Sequence, residues 1–302
     1  MKKEYLFAGA AVICWGSVAP ITKLLLGGMS NASALFLMTA VAAVSLLLYN
    51  AARGNLKQLV SYRPTDILRM AAMGIMGFFV YNAAYFYGLT LMRAQDACVI
   101  NYLWPLMTVI FSCMILKERF TAAKLAAAVL SLAGVVIVAT KGDLAGVAGI
   151  DFRGVAACLT AAVSYGLFSA LNKKYDYDQE LAMFVYFTAT AAASGIWCLF
   201  GGASLRLSAV QLAGILWMGV VVSAAGYLIW CLAVNRGNTA KISNLAYITP
   251  FLAMLLSCVI LKEPFDFHTL LGLLLIILGI VVQMRGKDPE PSKPCQTENS
   301  RA

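Results

Sequence analysis

Long apolar runs separated by short polar connections dominate the hydropathy pattern of this chain. Each run holds about 20 residues, the length that an α-helix needs to cross a hydrocarbon core about 30 Å thick. Backbone polar groups in such a core need partners within the chain, which favours helices over open strands. The pattern therefore predicts an all-α integral membrane protein with ten transmembrane helices, at about residues 5–26, 31–50, 66–90, 95–116, 121–140, 151–172, 180–200, 208–233, 239–261 and 267–285.

A stretch of the fourth apolar run recurs in the ninth. Pro105 precedes an apolar segment that ends in Leu-Lys-Glu at 116–118, and Pro250, 145 residues later, precedes the same ending at 261–263. Eight of sixteen positions are identical between 105–120 and 250–265, which indicates an internal duplication. It predicts two five-helix repeats, at residues 1–140 and 141–285. Residues 286–302 are polar and contain three prolines, so we expect a disordered cytoplasmic tail.

The orientation of the helices follows from the repeats and from the basic residues. An odd number of helices in each repeat makes the second enter the membrane from the opposite side, so we predict inverted repeats. That arrangement recurs in secondary transporters, which open one site to alternate sides. With the N-terminus inside, 17 of the 23 Lys and Arg residues fall on the cytoplasmic side. By the positive-inside rule we expect a multi-pass protein of the inner or plasma membrane with both termini in the cytoplasm.

Composition supports this class and argues against others. The chain is 61% hydrophobic and 12% charged, whereas soluble domains carry about 25% charged residues. The eight cysteines lack metal-ligand spacing, and one histidine, His268, makes neither a metal site nor a catalytic triad. We therefore expect no metal, no cofactor and no enzymatic activity. The distribution of Lys and Arg over the two sides of the membrane explains the net charge of +9, so a nucleic-acid partner is not expected. The expected partners are the lipid bilayer and a small-molecule substrate. We expect the protein to be a monomer.

Aromatic residues occupy equivalent positions in the two repeats and predict a binding cavity. Paired positions of inverted repeats converge near the middle of the membrane, although each aromatic taken alone could serve packing. Asparagine amides nearby can both donate and accept, which suits the ammonium and carboxylate groups of a zwitterion. The pairs are Trp15 with Tyr165, Tyr85 with Trp230, and Tyr102 with Tyr247. The predicted substrate-binding residues are Trp15, Ser17, Tyr81, Asn82, Tyr85, Asn101, Tyr102, Trp104, Tyr165, Asn172, Tyr227, Trp230, Asn244 and Tyr247.

Three prolines inside predicted helices mark expected kinks. Pro20, Pro105 and Pro250 lack an N–H, so the carbonyls four residues earlier lose their helical partner. Free carbonyls at membrane depth are tolerated where protein or a wet cavity satisfies them. These carbonyls could accept hydrogen bonds from a substrate, and a kink that only shapes packing is the alternative.

The ten spans, five plus five, with Leu-Lys-Glu after an apolar helix in each repeat, resemble the drug/metabolite transporter superfamily and its EamA-domain family. Three features are similar to its aromatic amino acid exporter branch: Trp15, the string Asn-Tyr-Leu-Trp-Pro at 101–105, and Asn-Lys-Lys-Tyr at 172–175. The resemblance implies alternating-access export of aromatic or other neutral amino acids, or of similar small metabolites. Tyr165 stands where that branch tends to have tryptophan, which leaves the side-chain preference open.

Two alternatives remain open at this point. The aromatics could serve an exporter of drugs or hydrophobic cations through cation–π contacts, or the protein could be a membrane sensor that transports nothing. No Asp or Glu lies in the middle of a predicted span, so we expect gradient-driven flux rather than a proton pump. We interpret the Lys-Glu pairs at 117–118 and 262–263 as headgroup anchors, with a gate as the alternative.

Overall fold

Helices form all the regular structure in the part of the chain that the structure describes. The computed structural model describes residues 3–117, 121–143, 151–175, 177–201, 207–236 and 245–285. Ten of the helical segments are apolar: α1 Lys3–Leu26, α2 Asn31–Arg53, α3 Pro64–Leu91, α4 Ala94–Ile115, α5 Ala122–Thr140, α6 Phe152–Tyr175, α7 Gln179–Phe200, α8 (successively Ala209–Leu216, Trp217–Ala225 and Gly226–Arg236), α9 Ala246–Ile260 and α10 Phe267–Arg285. A short 3₁₀ helix, Asn55–Ser61, connects α2 to α3.

The helix content and boundaries agree with the hydropathy pattern. Eight helices, α1 to α8, are long and apolar enough to cross a membrane, and α9 and α10 are shorter apolar helices. The predicted all-α architecture with ten helices is therefore confirmed. The predicted start of α9, at 239, and the predicted disordered tail, 286–302, lie outside the described residues. The repeat boundary at 140 and 141 stays a prediction.

Polar side chains cap helices at equivalent places in the two repeats. Ser30 accepts a hydrogen bond from the Ser33 N–H at 3.1 Å at the start of α2. Asp178 accepts one from the Leu181 N–H at 3.0 Å at the start of α7. Such caps satisfy N–H groups that the first turn of a helix leaves without an internal partner. The α2 and α7 helices thus begin in the same way, as repeat partners should.

The packing of the helices follows the inverted repeat. Helix α2 packs against α7, and α5 packs against α10, so each of these helices contacts its own repeat equivalent. Helix α1 packs against α8 and α9, and its equivalent α6 packs against α3 and α4. A rotation about one pseudo-twofold axis that exchanges the two halves therefore maps each of these contacts onto its counterpart. The fold is therefore two inverted five-helix repeats, as predicted.

Four helices leave α geometry at positions related by the same offset of 145 residues. Helix α4 breaks at Tyr102 and Leu103, and α9 begins with a 3₁₀ turn at Ala246–Ile248. Helices α3 and α8 widen into π-helical turns at Ile75–Val80 and Trp217–Ala225. Irregular turns of this kind are frequent at functional sites, because they redirect side chains and free backbone groups. All four helices line the cavity described below.

The two halves differ in their first helices. Helix α1 is interrupted at Ser17, with Pro20 just after the interruption, whereas α6 runs from Phe152 to Tyr175 without a break. Pro105 and Pro250 lie in the first turns of the helices that follow the irregular turns of α4 and α9. Each of the three prolines thus occupies a position where its missing N–H costs no interior helical bond.

Candidate substrate-binding site

A cavity of about 430 Å³ is lined by residues of α1 to α4 and of α6 to α9. Eleven of the fourteen predicted binding residues line it, which brings together positions that the sequence spreads over five helices. These eleven are Trp15, Tyr81, Asn82, Tyr85, Asn101, Tyr102, Trp104, Tyr165, Asn172, Tyr227 and Trp230. Their role in binding a substrate stays a prediction.

Three predicted residues are not part of this lining. Ser17 donates from its hydroxyl to the Cys14 carbonyl at 2.7 Å and accepts from the Trp217 indole N–H at 2.8 Å. Tyr247 directs its hydroxyl to the Met284 sulfur at 3.1 Å. Both side chains are thus engaged outside the cavity, because the interruption of α1 and the 3₁₀ turn of α9 rotate them away. Asn244 lies outside the described residues.

Aromatic rings form the walls of the cavity in continuous contact. The Phe78 ring centroid lies 5.0 Å from that of Phe168, 4.8 Å from that of Phe187 and 5.8 Å from that of Tyr227. Tilted and edge-on contacts at such distances add about 0.5–1.5 kcal/mol per pair beyond area burial in soluble proteins. The rings therefore form a rigid wall, which suits a substrate with an apolar side chain.

A second group of rings extends the wall across both repeats. The Tyr165 ring centroid lies 5.0 Å from that of Tyr81 and 5.2 Å from that of Trp104, and both partners belong to the first repeat. On the opposite side Trp15 lies 5.4 Å from Tyr227 and 5.0 Å from Trp230. Each cluster joins one aromatic residue of α1 or α6 to residues of the other repeat. The cavity is therefore built jointly by the two halves.

Several lining residues escaped the sequence reasoning. Phe78 and Phe168 lie four residues before Asn82 and Asn172, on the same helix faces, so helical spacing could have added them. Phe187 and Gln179 come from α7, a helix that had no aromatic partner in the repeat alignment. No sequence signal marked α7, because its contribution depends on how it packs against α2 and α3.

The polar groups at the cavity fall into those already bonded and those without a partner. Asn172 donates to the Gln179 side chain at 3.1 Å and accepts from the Tyr186 hydroxyl at 2.8 Å. Asn82 donates to the Phe78 carbonyl at 2.7 Å. By contrast, three buried atoms at the cavity have no hydrogen-bond partner among the described residues: Trp15 Nε1, Asn101 Oδ1 and Thr249 Oγ1.

Those three atoms offer a donor, an acceptor and a hydroxyl that can do either. A buried polar atom without a partner costs about 1–3 kcal/mol, so a ligand that bonds these atoms gains that free energy on binding. The Trp15 N–H and the Thr249 hydroxyl suit a carboxylate, and the Asn101 oxygen suits an ammonium group. The Asn101 amide is held in place by its bond to the Tyr81 hydroxyl at 3.1 Å.

One of the carbonyls released by proline has a partner in the protein. Pro250 cannot donate to the Ala246 carbonyl, which instead accepts the Thr249 N–H within the 3₁₀ turn and the Tyr102 hydroxyl. This bond joins the break in α4 to the irregular turn of α9, so it connects equivalent points of the two repeats. The Ala246 carbonyl is thus satisfied by the protein before any substrate arrives.

Comparison with known proteins gives the family. The model of the EamA-like transporter family matches residues 2–140 and again residues 152–285. The chain belongs to this family. Two matches in one chain agree with the duplication in its sequence and with the symmetric packing of its helices. This EamA transporter is accordingly a multi-pass membrane protein, and its family and relatives indicate transport rather than catalysis.

Its relatives are distant in sequence but extend over most of the chain. A transporter of uncharacterised substrate from Clostridium kluyveri is 24% identical over 299 residues, which cover 93% of each chain. An aromatic amino acid exporter, YddG, from Ancylobacter novellus is 28% identical over 184 residues, 61% of this chain and 64% of that one. A probable terminal-alkyne amino-acid exporter from Streptantibioticus cattleyicolor is 24% identical and covers 94% and 95%.

A solved crystal structure has the same fold. It superposes with a TM-score of 0.67 at 23% identity, over 93% of this chain and 96% of that one.

The cavity of this EamA transporter is lined at one end by Asn172 and Gln179, at the α6–α7 turn. Its described lining residues include none from the opposite end of the bundle, where α9 meets α10. Among the described residues that line it, none is charged.

Proposed function

We propose that this EamA transporter exports neutral, zwitterionic amino acids with aromatic or other large apolar side chains, or similar small metabolites. The observation that supports this proposal is an aromatic cavity whose described lining is uncharged and whose lining residues Trp15, Asn101 and Thr249 each carry a buried polar atom without a hydrogen-bond partner. A zwitterion has no net charge to neutralise, and its carboxylate and ammonium groups match donors and acceptors of this kind. Two relatives named as amino-acid exporters support the same substrate class.

The proposed mechanism is alternating access around the pseudo-twofold axis. The substrate would reach the cavity from the α6–α7 end, which we assign to the cytoplasm of the cell, and leave at the α9–α10 end. The substrate side chain would pack against the rings around Phe78 and Tyr165, while its polar head bonds the buried atoms of Trp15 and Asn101. The described residues that line the cavity include no charged side chain to carry a proton, so the concentration gradient of the substrate would drive the flux.

The test is counterflow in proteoliposomes that contain the purified protein and are loaded with unlabelled amino acid. We expect uptake of labelled phenylalanine, tyrosine, tryptophan or leucine, and little uptake of lysine or glutamate, because the cavity cannot neutralise a net charge. Tetraphenylphosphonium, a hydrophobic cation, should compete weakly. Strong inhibition by this cation together with absent amino-acid uptake would contradict the proposal and favour a cation exporter.

A matched pair of variants ties the flux to the cavity. Trp104→Ala removes a ring that lies 5.2 Å from Tyr165 in the wall, and we expect kcat/KM to fall at least about tenfold, which corresponds to about 1.4 kcal/mol. The control is Trp197→Ala on α7, because this residue is 38% exposed and does not line the cavity. Equal losses in the two variants would separate transport from this cavity.

A further inference from the structure

Six charged side chains meet at the α9–α10 end of the bundle, beyond the end of the cavity. Lys23 closes α1, Arg93 and Asp96 open α4, Lys141 follows α5, and Glu263 and Asp266 precede α10. The six residues Lys23, Arg93, Asp96, Lys141, Glu263 and Asp266 are called the ionic network below. Three positive and three negative groups balance, so the network is neutral as a whole.

The contacts of the network are short; its carboxylates are mostly buried, whereas the side chains of its three cations are 29–36% exposed. Lys23 Nζ lies 3.1 Å from Glu263 Oε1, Arg93 Nε lies 2.9 Å from Asp96 Oδ2, and Lys141 Nζ lies 2.5 Å from Asp96 Oδ1. Arg93 also pairs with Asp266. The Asp96 and Glu263 side chains are only 6% and 9% exposed. Removal of one cation would leave a mostly buried carboxylate without its counter-charge, which costs more than the loss of a surface ion pair.

Asp266 shows that the ionised form of the network is favoured. Burial alone raises the pKa of this carboxyl, but hydrogen bonds from Arg93 and the Thr269 N–H and the charge of Lys141 hold the pKa well below its ordinary range. The carboxylate therefore stays charged around neutral pH.

The ionic network is hydrogen-bonded to the N-terminal end of a short buried helix. Glu263 accepts the Ala94 N–H at 2.8 Å and the Gln95 N–H at 3.3 Å, and the Gln95 side chain donates to the Pro264 carbonyl at 2.8 Å. A carboxylate at this position bonds N–H groups that have no helical partner and complements the helix dipole. A loop of the second repeat thus caps the half-helix Ala94–Asn101 of the first.

The other end of that half-helix lies at the cavity. All eight of its residues are buried, and at about 1.5 Å per residue it is about 12 Å long. Asn101 and Tyr102, at its far end, line the cavity, and Asn101 carries one of the unpartnered oxygens. One short rigid element therefore connects the ionic network to the groups that face the substrate.

The backbone explains why Glu263 points inward while its neighbour does not. Lys262 adopts a left-handed conformation with φ 55°, as does Lys117 with φ 58° in the equivalent turn. This turn leaves Lys262 exposed and directs Glu263 into the bundle. The interpretation of this Lys-Glu pair as a headgroup anchor is therefore wrong for Glu263. The equivalent Glu118 lies outside the described residues.

We propose that the ionic network is the gate that closes the cavity towards the α9–α10 end, and that the half-helix Ala94–Asn101 transmits substrate contact at Asn101 to this gate. Alternating access requires one end to be closed while the other is open. When the gate opens, the six charged groups would move apart at the membrane surface, where water can hydrate them. Hydration offsets the loss of the ion pairs, so the closed and the open arrangement can both be populated. This inference needs only a transporter, not a particular substrate.

The half-helix carries its own reporter for the test. Cys98 lies between the network and Asn101, lines the cavity and is 9% exposed. In a chain whose seven other cysteines are replaced by serine or alanine, we would measure how fast a membrane-impermeant thiosulfonate modifies Cys98 from each face of oriented vesicles. In the otherwise unchanged protein we expect modification mainly from the α6–α7 face.

Neutral isosteres should open the gate. We expect Glu263→Gln and Asp96→Asn each to raise the rate of modification from the α9–α10 face about tenfold and to lower it from the α6–α7 face, as in a shifted equilibrium between two states. Unchanged rates in both variants would overturn the proposal. Equal increases from both faces would also overturn it, because general loosening of the fold, not gating, has that effect.

Two further variants complete the design. Asp151→Asn breaks an exposed ion pair with Arg153, at 3.2 Å, at the same end of the bundle but outside the network, and should leave both rates unchanged. If Glu263→Gln does not reach the membrane, Lys23→Gln removes the same ion pair by changing the other partner. The Lys23 side chain is 30% exposed, so this change should disturb folding less. The reagent alone is the probe, so failure of amino-acid transport leaves this result interpretable.

Discussion

The indole N–H of Trp15 shows how much a single atom contributes to the proposed site. It is buried at the cavity and has no hydrogen-bond partner in the described part of the chain. In a membrane interior such a donor is costly until something accepts its hydrogen. A carboxylate of the substrate would remove that cost, and the substrate would be oriented by the same bond.

Trp15→Phe tests this reading. The variant keeps an aromatic ring but removes the donor, so we expect kcat/KM for the transported amino acid to fall about tenfold, the equivalent of about 1.4 kcal/mol. The control is Trp217→Phe, since the Trp217 indole donates to Ser17 at 2.8 Å, outside the cavity. Kinetics unchanged by Trp15→Phe would remove this residue from the site.

Sequence reasoning found the cavity residues that symmetry pairs and missed those that only packing places. Trp15, Tyr85 and Tyr102 were found because each has an aromatic counterpart in the other repeat. Ser17 was included as one of the polar side chains available to the cavity, but at the interruption of α1 its hydroxyl donates to the Cys14 carbonyl. Pro20 predicts a break in α1 near this point, but not the Trp217 indole that donates to the Ser17 hydroxyl, because the two residues are 200 positions apart.

Helices α5 and α10 illustrate how close helix approach holds the two repeats together. A Cβ at Gly134 would lie 2.5 Å from the Gly272 carbonyl oxygen, and a Cβ at Gly279 would lie 2.8 Å from the Ala127 carbonyl oxygen. The two contacts are equivalent under the repeat offset of 145 residues. Small residues allow such approach, and dispersion contacts along the helices then stabilise the pair in lipid.

Gly134→Ala should therefore destabilise the protein. We expect a loss of about 1–3 kcal/mol, because the added methyl group must displace a backbone carbonyl. Gly9→Ala is the matched control: a Cβ at Gly9 meets nothing within 4 Å, so this variant should be neutral or slightly stabilising. Thermal unfolding of the detergent-solubilised protein measures both. Equal stability of the two variants would contradict the packing argument.

Hydropathy located the helices to within a few residues, but not their internal irregularities. The π-helical turns at Ile75–Val80 and Trp217–Ala225 have the same apolar composition as regular helix, so composition cannot reveal them. Pro105 and Pro250 did indicate freed carbonyls. That the Tyr102 hydroxyl bonds the Ala246 carbonyl became visible only with the fold, because the two residues are distant in sequence.

The whole molecule has ends that the positive-inside rule assigns to opposite sides of the membrane. We expect the α2–α3 connection in the cytoplasm and the α7–α8 connection outside. Single cysteines at Gln58 and Val210, in a background without other cysteines, test the assignment with an impermeant maleimide on intact cells. Val210→Cys should react at once, and Gln58→Cys only after permeabilisation. The opposite pattern would reverse the topology and the proposed direction of export.

The two halves are related but unequal, and this inequality has a kinetic consequence. Helix α1 is interrupted where α6 is continuous, and Tyr102 bonds a backbone carbonyl where Tyr247 meets the Met284 sulfur. Under the proposed alternating access, the two facing states would therefore differ in free energy, and apparent affinity would fall with the population of the competent state. KM should accordingly differ between the two faces. Detailed balance nevertheless keeps Vmax/KM equal in both directions when no second gradient is coupled, so the weaker-binding face must also sustain the faster maximal flux.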